Sequence, residues 1–297
     1  MIDFKTNKTL FSLELFPPKD SAGMISIYSA MGRFRAVMPD YISVTYGAGG
    51  STNRATIDIA TDIKNKFGIE TVAHLTCAGS TTSNIDDALD RLKENGVCNI
   101  LALRGDNPAT PTDFKYATDL IAHIGIRGGF KVCAACYPEK HLESPNIEHD
   151  YDVLKMKADA GVTHFISQLF FKVSSFEKLL DGMAKRNIKV PVEAGIMPVT
   201  SAKQILRMTK LSGAIIPNDL KRLIRRFESD KDAMRCAGVN YAINEITQLL
   251  ALNVDGIHLY AMNNPETVEK IYSSIYPLLV KSAPQRSEER RVGKECR

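Results

Sequence analysis

The chain has 297 residues, 44% of them hydrophobic and 24% charged, with a formal net charge of +4. That composition supports a packed core and excludes a disordered or fibrous chain. No run approaches the roughly 18 apolar residues of a membrane span, and MIDFKTNKTLF lacks the basic, apolar and small-residue order of a secretion signal. Six cysteines are too sparse for a disulfide scaffold and read as reduced thiols in a cytoplasmic protein. The charge itself points to no nucleic-acid partner: +2 of the +4 comes from residues 282–297, SAPQRSEERRVGKECR, with five basic and three acidic groups. This segment has no apolar periodicity and reads as a disordered charged tail.

Short apolar runs alternate with longer amphipathic segments along the chain. The predicted strands are LFSLELF (10–16), YISVTYG (41–47), ETVAHLTC (70–77), NILALRG (99–105), KVCAACY (131–137), HFISQLFF (164–171), VEAGIMP (192–198) and GIHLYAM (256–262). Helical patterns follow, among them IDDALDRLKENG, YATDLIAHIG, YDVLKMKADAG and FEKLLDGMAKRN, several ending on Gly or Asn as helix stops do. Strand alternating with helix implies parallel pairing through crossover helices. About eight such units is the number that closes an α/β barrel of the (β/α)8, or TIM, class. An open doubly wound sheet is the structural alternative. Between the seventh and eighth strands, Ser201 to Asn253 is too long for a loop, and PNDLKRLIRRFES and AGVNYAINEITQLLALNVDG predict extra helices there. With no internal repeat, linker or second hydrophobic core, residues 1–281 read as a single domain.

In parallel barrels the chemistry gathers where the C-terminal strand ends converge. Glu14 lies inside LFSLELF, just before Pro17 and Pro18, which cannot continue a ladder. Alternation puts Ser12, Glu14 and Phe16 on one face and Leu13 and Leu15 on the other. The leucines should pack on helices, turning Glu14 toward the barrel interior, where desolvation would help a carboxyl hold a proton. A buried structural Glu paired with a basic group fits the same pattern. The fourth strand runs into LRGDNP (103–108), which exposes Arg104 and Asp106 at a turn; a solvated surface ion pair is the plainer reading. His74 sits among apolar residues, as a core histidine would. Gln168, on the face of Ile166 and Phe170, needs amide partners from neighbours or substrate. The fifth strand leads into Tyr137, Pro138, Glu139, Lys140 and His141, with Asp150 beyond. Cys133 and Cys136, three apart on a strand, should point to opposite faces and not form a metal or redox pair. Neither G-x-G-x-x-G nor G-x-x-x-x-G-K-[ST] is present, nor H-E-x-x-H, nor G-x-S-x-G.

Taken in order, FSLELFPPK, ISVTYGAGG, VAHLTC, LALRGD, AACYPEKH, ISQLFF and IMPVTSAKQ resemble the bacterial methylenetetrahydrofolate reductases, and the likeness runs through GVNYAINEITQLLALNVDGIHLYAMN to about residue 280. The resemblance implies a barrel that holds FAD without a Rossmann fingerprint. It passes hydride from NADH or NADPH to methylenetetrahydrofolate in ping-pong order. On that resemblance Tyr46, His74, Arg104, Gly105 and Asp106 contact FAD, as do Ala117, Tyr137, His141, Asp150 and Lys157. Thr45, Gln168 and Gln204 would face the nicotinamide or the folate. Glu14 becomes the general acid that opens the folate's five-membered ring, and Asp106 a hydrogen-bonding partner of the pterin. Arg104 and Lys157 suit the anionic parts of the cofactor. Relatives of this family commonly self-associate, which implies a homo-oligomer.

Three positions depart from the family pattern. Met208 stands where some relatives carry a phenylalanine, and Asn264 and Met156 where a basic residue is common. Fewer mouth cations bear on the folate tail and on phosphorylated nicotinamide. Two rivals share the architecture: a cofactor-free lyase or aldolase, and a non-catalytic binding subunit. The first needs an inward lysine, and no predicted strand carries one; the second is disfavoured by Glu14, Asp106 and Gln168.

Overall fold

A computed structural model describes residues 1–6, 8–18, 20–46, 53–105 and 113–280. Eight strands, β1 (Leu10–Leu15), β2 (Tyr41–Val44), β3 (Thr71–Thr76), β4 (Asn99–Leu103), β5 (Lys131–Cys136), β6 (His164–Ser167), β7 (Val192–Ile196) and β8 (Gly256–Tyr260), close in chain order. Every neighbouring pair is parallel, and β8 returns to β1 with Ser12 opposite His258 and Glu14 opposite Tyr260. This overturns the open-sheet alternative. Helices α1 (Ser21–Ala36), α2 (Asn53–Phe67), α3 (Thr82–Glu94), α4 (Ala117–Arg127), α5 (Ile147–Asp159) and α6 (Val173–Lys185) alternate with the strands. The long interval holds α7 (Ala202–Ser212), α8 (Asn218–Phe227) and α9 (Lys231–Ala251), the extra helices expected there, before α10 (Pro265–Leu279) follows β8.

The alternation of the strands sorts two cores. Leu13, Leu15, Ile42, Val44, Ala73 and Leu75 face outward into the main cluster beneath the helices. Leu10, Tyr41, Val72, Leu101, Cys133 and Ile166 face inward, and Ile2 and Phe4 plug the barrel floor against them. Phe4 stacks on His164 with ring centroids 4.3 Å apart. Cys133 is inward and Cys136 outward, so the two thiols diverge as the spacing required.

Four details differ from expectation. First, β6 stops at Ser167, and the chain beyond it turns. Phe170 therefore leaves the inward face and stacks on Phe176 of α6 at 5.3 Å, so it does not share a face with Gln168. Second, α4 runs through Gly125 and ends at Gly128, whose positive φ of 68° does the terminating. Third, the added helices form a satellite apolar cluster with the ends of β6 to β8, including Leu169, Met197, Ile205, Leu220 and Tyr260; no second core was expected. Fourth, Lys131 shares the inward parity of Cys133, but at the floor end, where its Nζ donates to the Ile2 carbonyl. An inward lysine exists, at the end of the barrel opposite the chemistry.

Candidate active site

Glu14 projects into the barrel, with only 6% of its surface exposed. Its Oε2 lies 3.4 Å from His258 Nε2 and 3.5 Å from His74 Nε2, so β1, β3 and β8 all present polar groups to one spot. Below it runs a hydrogen-bonded chain. Ser12 Oγ contacts both Glu193 Oε2 and, at 2.7 Å, His258 Nδ1. Glu193 Oε1 accepts from Tyr41 and from His164, each at 2.7 Å. Burial pushes the Glu193 carboxyl up. His164 and His258, with hydrogen bonds from His164 and Ser12, more than offset this and leave it below the ordinary value.

The direction of the chain follows from counting protons. A serine hydroxyl has one, and the Glu193 carboxylate can only accept. Ser12 therefore donates to Glu193 and accepts from His258 Nδ1–H. A neutral imidazole then has a bare lone pair at Nε2, facing Glu14. With that tautomer, a hydrogen bond between the two is one in which a Glu14 O–H donates to His258 Nε2. His74 contributes none: burial pushes it down to about 4, with Glu14 pulling it back up only in part, so it is neutral near pH 7. Its buried Nε2 makes no hydrogen bond among the described residues.

Two small residues make room for this constellation. A Cβ on Gly256 would meet Glu193 Cγ at 2.5 Å, and one on Gly195 would meet the Ser167 carbonyl at 2.2 Å and the Tyr260 ring at 3.0 Å. Tyr260 crosses over Gly195 to donate to that carbonyl at 2.9 Å.

A second group of expected residues gathers beyond β3, β4 and β5. Arg104 makes a two-pronged ion pair with Glu143 at 2.5 and 2.8 Å. Gly105 has φ of 94° and lies against Thr76 and Ala78, where a Cβ would approach to 3.2 Å. Tyr46, partly buried, shares a hydrogen bond with Thr76. Tyr137 packs edge-on to His141 at 4.8 Å. Asp150 accepts from the His141 backbone N–H at 2.6 Å, and Lys157, two turns along the same buried face of α5, donates to the Ala135 carbonyl at 2.8 Å. Thr45 bonds Leu15, beside Glu14, through its N–H at 3.0 Å. Gln168 Oε1 accepts from the Leu169 N–H.

Other positions stand apart. Ala117 opens α4, and Gln204 sits in the first turn of α7, bonded to Thr200; no hydrogen bond among the described residues ties either to Glu14. Met208, one turn after Gln204, packs into the satellite cluster. Asn264 caps α10 by accepting from Thr267 N–H at 3.0 Å, and Met156 is exposed on α5. Asp106 lies outside the described residues, as does the 282–297 tail. Among the described residues no group of three or more His, Cys, Asp or Glu side chains is placed to hold a metal, and no helix is long and apolar enough to cross a membrane.

Sequence reasoning missed Glu193, His164, His258 and Tyr41. Each is a polar group at an inward position of an apolar strand, which is the pattern that singled out Glu14.

Lys157 carries an unusual load. Burial lowers it from 10.5 to about 8, with Cys136 and Asp150 pulling the other way. Between those values the unfolded chain binds more protons than the folded one, so stability rises with pH across this window, and below it the strain of about 3 kcal/mol is fully present. Lys157→Met abolishes that rise in melting temperature between pH 8 and 10.5, a slope that thermal melts read directly. An unchanged slope would show that Lys157 is not strained.

The family model described as methylenetetrahydrofolate reductase matches residues 2–276. The probable methylenetetrahydrofolate reductase (NADH) of rice, Oryza sativa subsp. japonica, is 34% identical over 274 residues, covering 86% of this chain and 46% of the rice protein. This chain thus spans about half the length of the plant relatives it matches. The 5,10-methylenetetrahydrofolate reductase of Buchnera aphidicola subsp. Schizaphis graminum is 33% identical over 266 residues, covering 89% of this chain and 91% of that protein. Among solved structures, an uncharacterized Clostridium thermocellum protein that binds two copies of 5-methyl-5,6,7,8-tetrahydrofolic acid superposes with a TM-score of 0.63. It is 15% identical, over 90% of this chain and 94% of that one, a likeness of fold alone. By the reach of the family match and the identity to these relatives, the chain belongs to the methylenetetrahydrofolate reductase family.

Proposed function

We propose that this chain reduces 5,10-methylenetetrahydrofolate to 5-methyltetrahydrofolate, using FAD that is recharged by a reduced nicotinamide. The observation that carries the reading is the buried Glu14–His258 pair at the barrel mouth, with the His258 Nε2 lone pair turned toward Glu14 by the Ser12–Glu193 chain. A carboxyl that donates there can also protonate a leaving ring nitrogen, the step that a cyclic aminal such as methylenetetrahydrofolate needs before it can be reduced.

The residues present suit a flavin dinucleotide. The orphaned His74 Nε2 wants a hydrogen-bond partner. Lys157 bonds one carbonyl and, being desolvated, gains from an anion nearby. Gly105, at a φ of 94°, packs its backbone against Ala78 and Thr76, which fixes the turn that carries Arg104. When bound, FAD supplies two-electron hydride chemistry that no amino-acid side chain provides. Arg104 and Lys157 would hold its anionic part. The Arg104–Glu143 pair is no obstacle, since Glu143 is 63% exposed and such pairs contribute only about 0–1 kcal/mol. Tyr46, Tyr137, His141, Asp150 and Ala117 complete the proposed cofactor set. Thr45, Gln168 and Gln204 would orient the nicotinamide and folate, with Asp106 on the pterin. The rice relative's name points to NADH as donor, and the neutral Asn264, committed to capping α10, offers no charge for a phosphorylated nicotinamide. Residues 1–281 act as one barrel domain in this reading.

Purified protein should be yellow, or become so with FAD. NADH should bleach it, and methylenetetrahydrofolate should restore the colour with formation of methyltetrahydrofolate. A colourless protein that FAD cannot reconstitute, or a bleached one that the folate does not reoxidise, would refute the reading.

A further inference from the structure

Away from the barrel mouth, α6, α8 and α9 enclose a cleft of about 550 Å³ behind the loop that leaves β6. That is the size range of small-ligand pockets, about 300–1,000 Å³. Glu245 of α9 is part of its lining, only 3% exposed, with both carboxyl oxygens buried and neither with a hydrogen-bond partner among the described residues. The other unpartnered buried side-chain atoms among the described residues are hydroxyls and ring nitrogens; a carboxyl with neither oxygen partnered is the costliest of these to leave so, which makes Glu245 a group prepared for something that enters the cleft.

What enters is constrained by the walls. Glu177 of α6 and Asp219 of α8 add two more carboxylates, Lys172 a single ammonium, and Asn244 and Gln248 neutral amides. Tyr241 cannot satisfy Glu245, because its hydroxyl donates to the Phe171 carbonyl at 2.9 Å, with Asp219 at 3.5 Å. Phe171, Val173, Pro217 and Leu252 supply apolar wall. Three acids against one base, two of them on the rim and one desolvated below, with apolar flanks, select a positively charged group on a short carbon stem.

We propose that this cleft binds a small organic cation, a guanidinium or alkylammonium compound, with Glu245 as its buried counter-ion. Burial and the nearby Asp219 push the Glu245 carboxyl well up, toward the protonated, neutral form. The entering cation displaces that proton to solvent and takes its place beside the carboxylate. Binding therefore releases a proton, which neither a surface acidic patch nor a merely buried glutamic acid would do on contact with a cation.

Isothermal titration of the full chain at pH 7 with butylguanidinium, and with butylurea as its neutral isostere, tests this. The cation should bind saturably, with a heat that changes with the ionisation enthalpy of the buffer as proton release requires, and butylurea should not bind. Glu245→Gln, close in shape, should weaken the cation at least about tenfold, and Asp219→Asn on the exposed rim should weaken it severalfold with the fold untouched. Absence of saturable binding to the wild type would overturn the proposal. So would equal binding of butylurea or, if Glu245→Gln does not fold, undiminished binding by Asp219→Asn.

Discussion

In the proposed reaction, Glu14→Gln slows reduction of methylenetetrahydrofolate by about 10²- to 10⁴-fold, the range a general acid supplies, while reduction of the flavin by the nicotinamide proceeds unchanged. The substitution is informative because it keeps the local structure. The glutamine amide has the same outline and can donate to the His258 Nε2 lone pair, which the chain through Ser12 leaves facing it. What is lost is a proton that can leave: an amide N–H is far too weak an acid to be given to a ring nitrogen. Hydride delivery by the nicotinamide calls for no proton at that spot and so has no reason to change. Stopped-flow absorbance at the flavin band, with each half-reaction run alone, separates the two. Equal slowing of both halves would mean that Glu14 acts through the shape of the mouth or through cofactor binding, and the acid role would fall. Full activity in both halves would move the acid to another residue.

The physical reason Glu14 could be singled out from the chain is local. Period-two alternation between Leu13 and Leu15 fixes its direction once the strand is known to be covered by helices on one side. The barrel was legible on similar grounds, since eight apolar runs separated by amphipathic helices leave little choice of closure. The partners of Glu14 were not legible. His258 is 244 positions away, and only the β1–β8 register places it under Glu14. A single histidine or glutamate in an apolar strand reads equally well as a core residue, so Glu193 and His164 passed without notice. Leu169, Phe170 and Phe171 continue the apolar run after the backbone has turned, so the pattern overstates the length of β6. Glu245 was hidden by the opposite ambiguity: a glutamate in a long amphipathic helix reads as solvent-facing. Asn264, a departure from the family pattern, has a local explanation as the cap of α10.

Glu193→Gln tests whether the buried chain is structural, directional or both, and it should do two things at once. The first is loss of stability. The carboxylate is fully buried and accepts from Tyr41, Ser12 and His164. Removing one member of such a buried set destabilises by about 3–5 kcal/mol, a large share of a total stability of about 5–15 kcal/mol, and should lower the melting temperature by on the order of ten degrees. The sign with pH is fixed by the depressed value of Glu193. The unfolded chain takes up a proton before the folded one does, so the stabilisation is present above the ordinary carboxyl range and is lost as pH falls through the folded value. The melting-temperature gap between wild type and variant should therefore narrow below about pH 4.5. The second effect is at a distance. A glutamine can present N–H to Ser12 Oγ, which frees the serine proton to turn toward His258 Nδ1. The imidazole then carries its proton on Nε2 and donates to Glu14, which becomes an acceptor. The folate half-reaction should slow in the variant at temperatures where it is fully folded, with the nicotinamide half-reaction spared. Nitrogen-15 shifts of the His258 ring would register the tautomer exchange directly. A destabilised variant with both half-reactions intact, and His258 still protonated on Nδ1, would show that the chain holds the barrel together without setting the direction of the proton at its mouth.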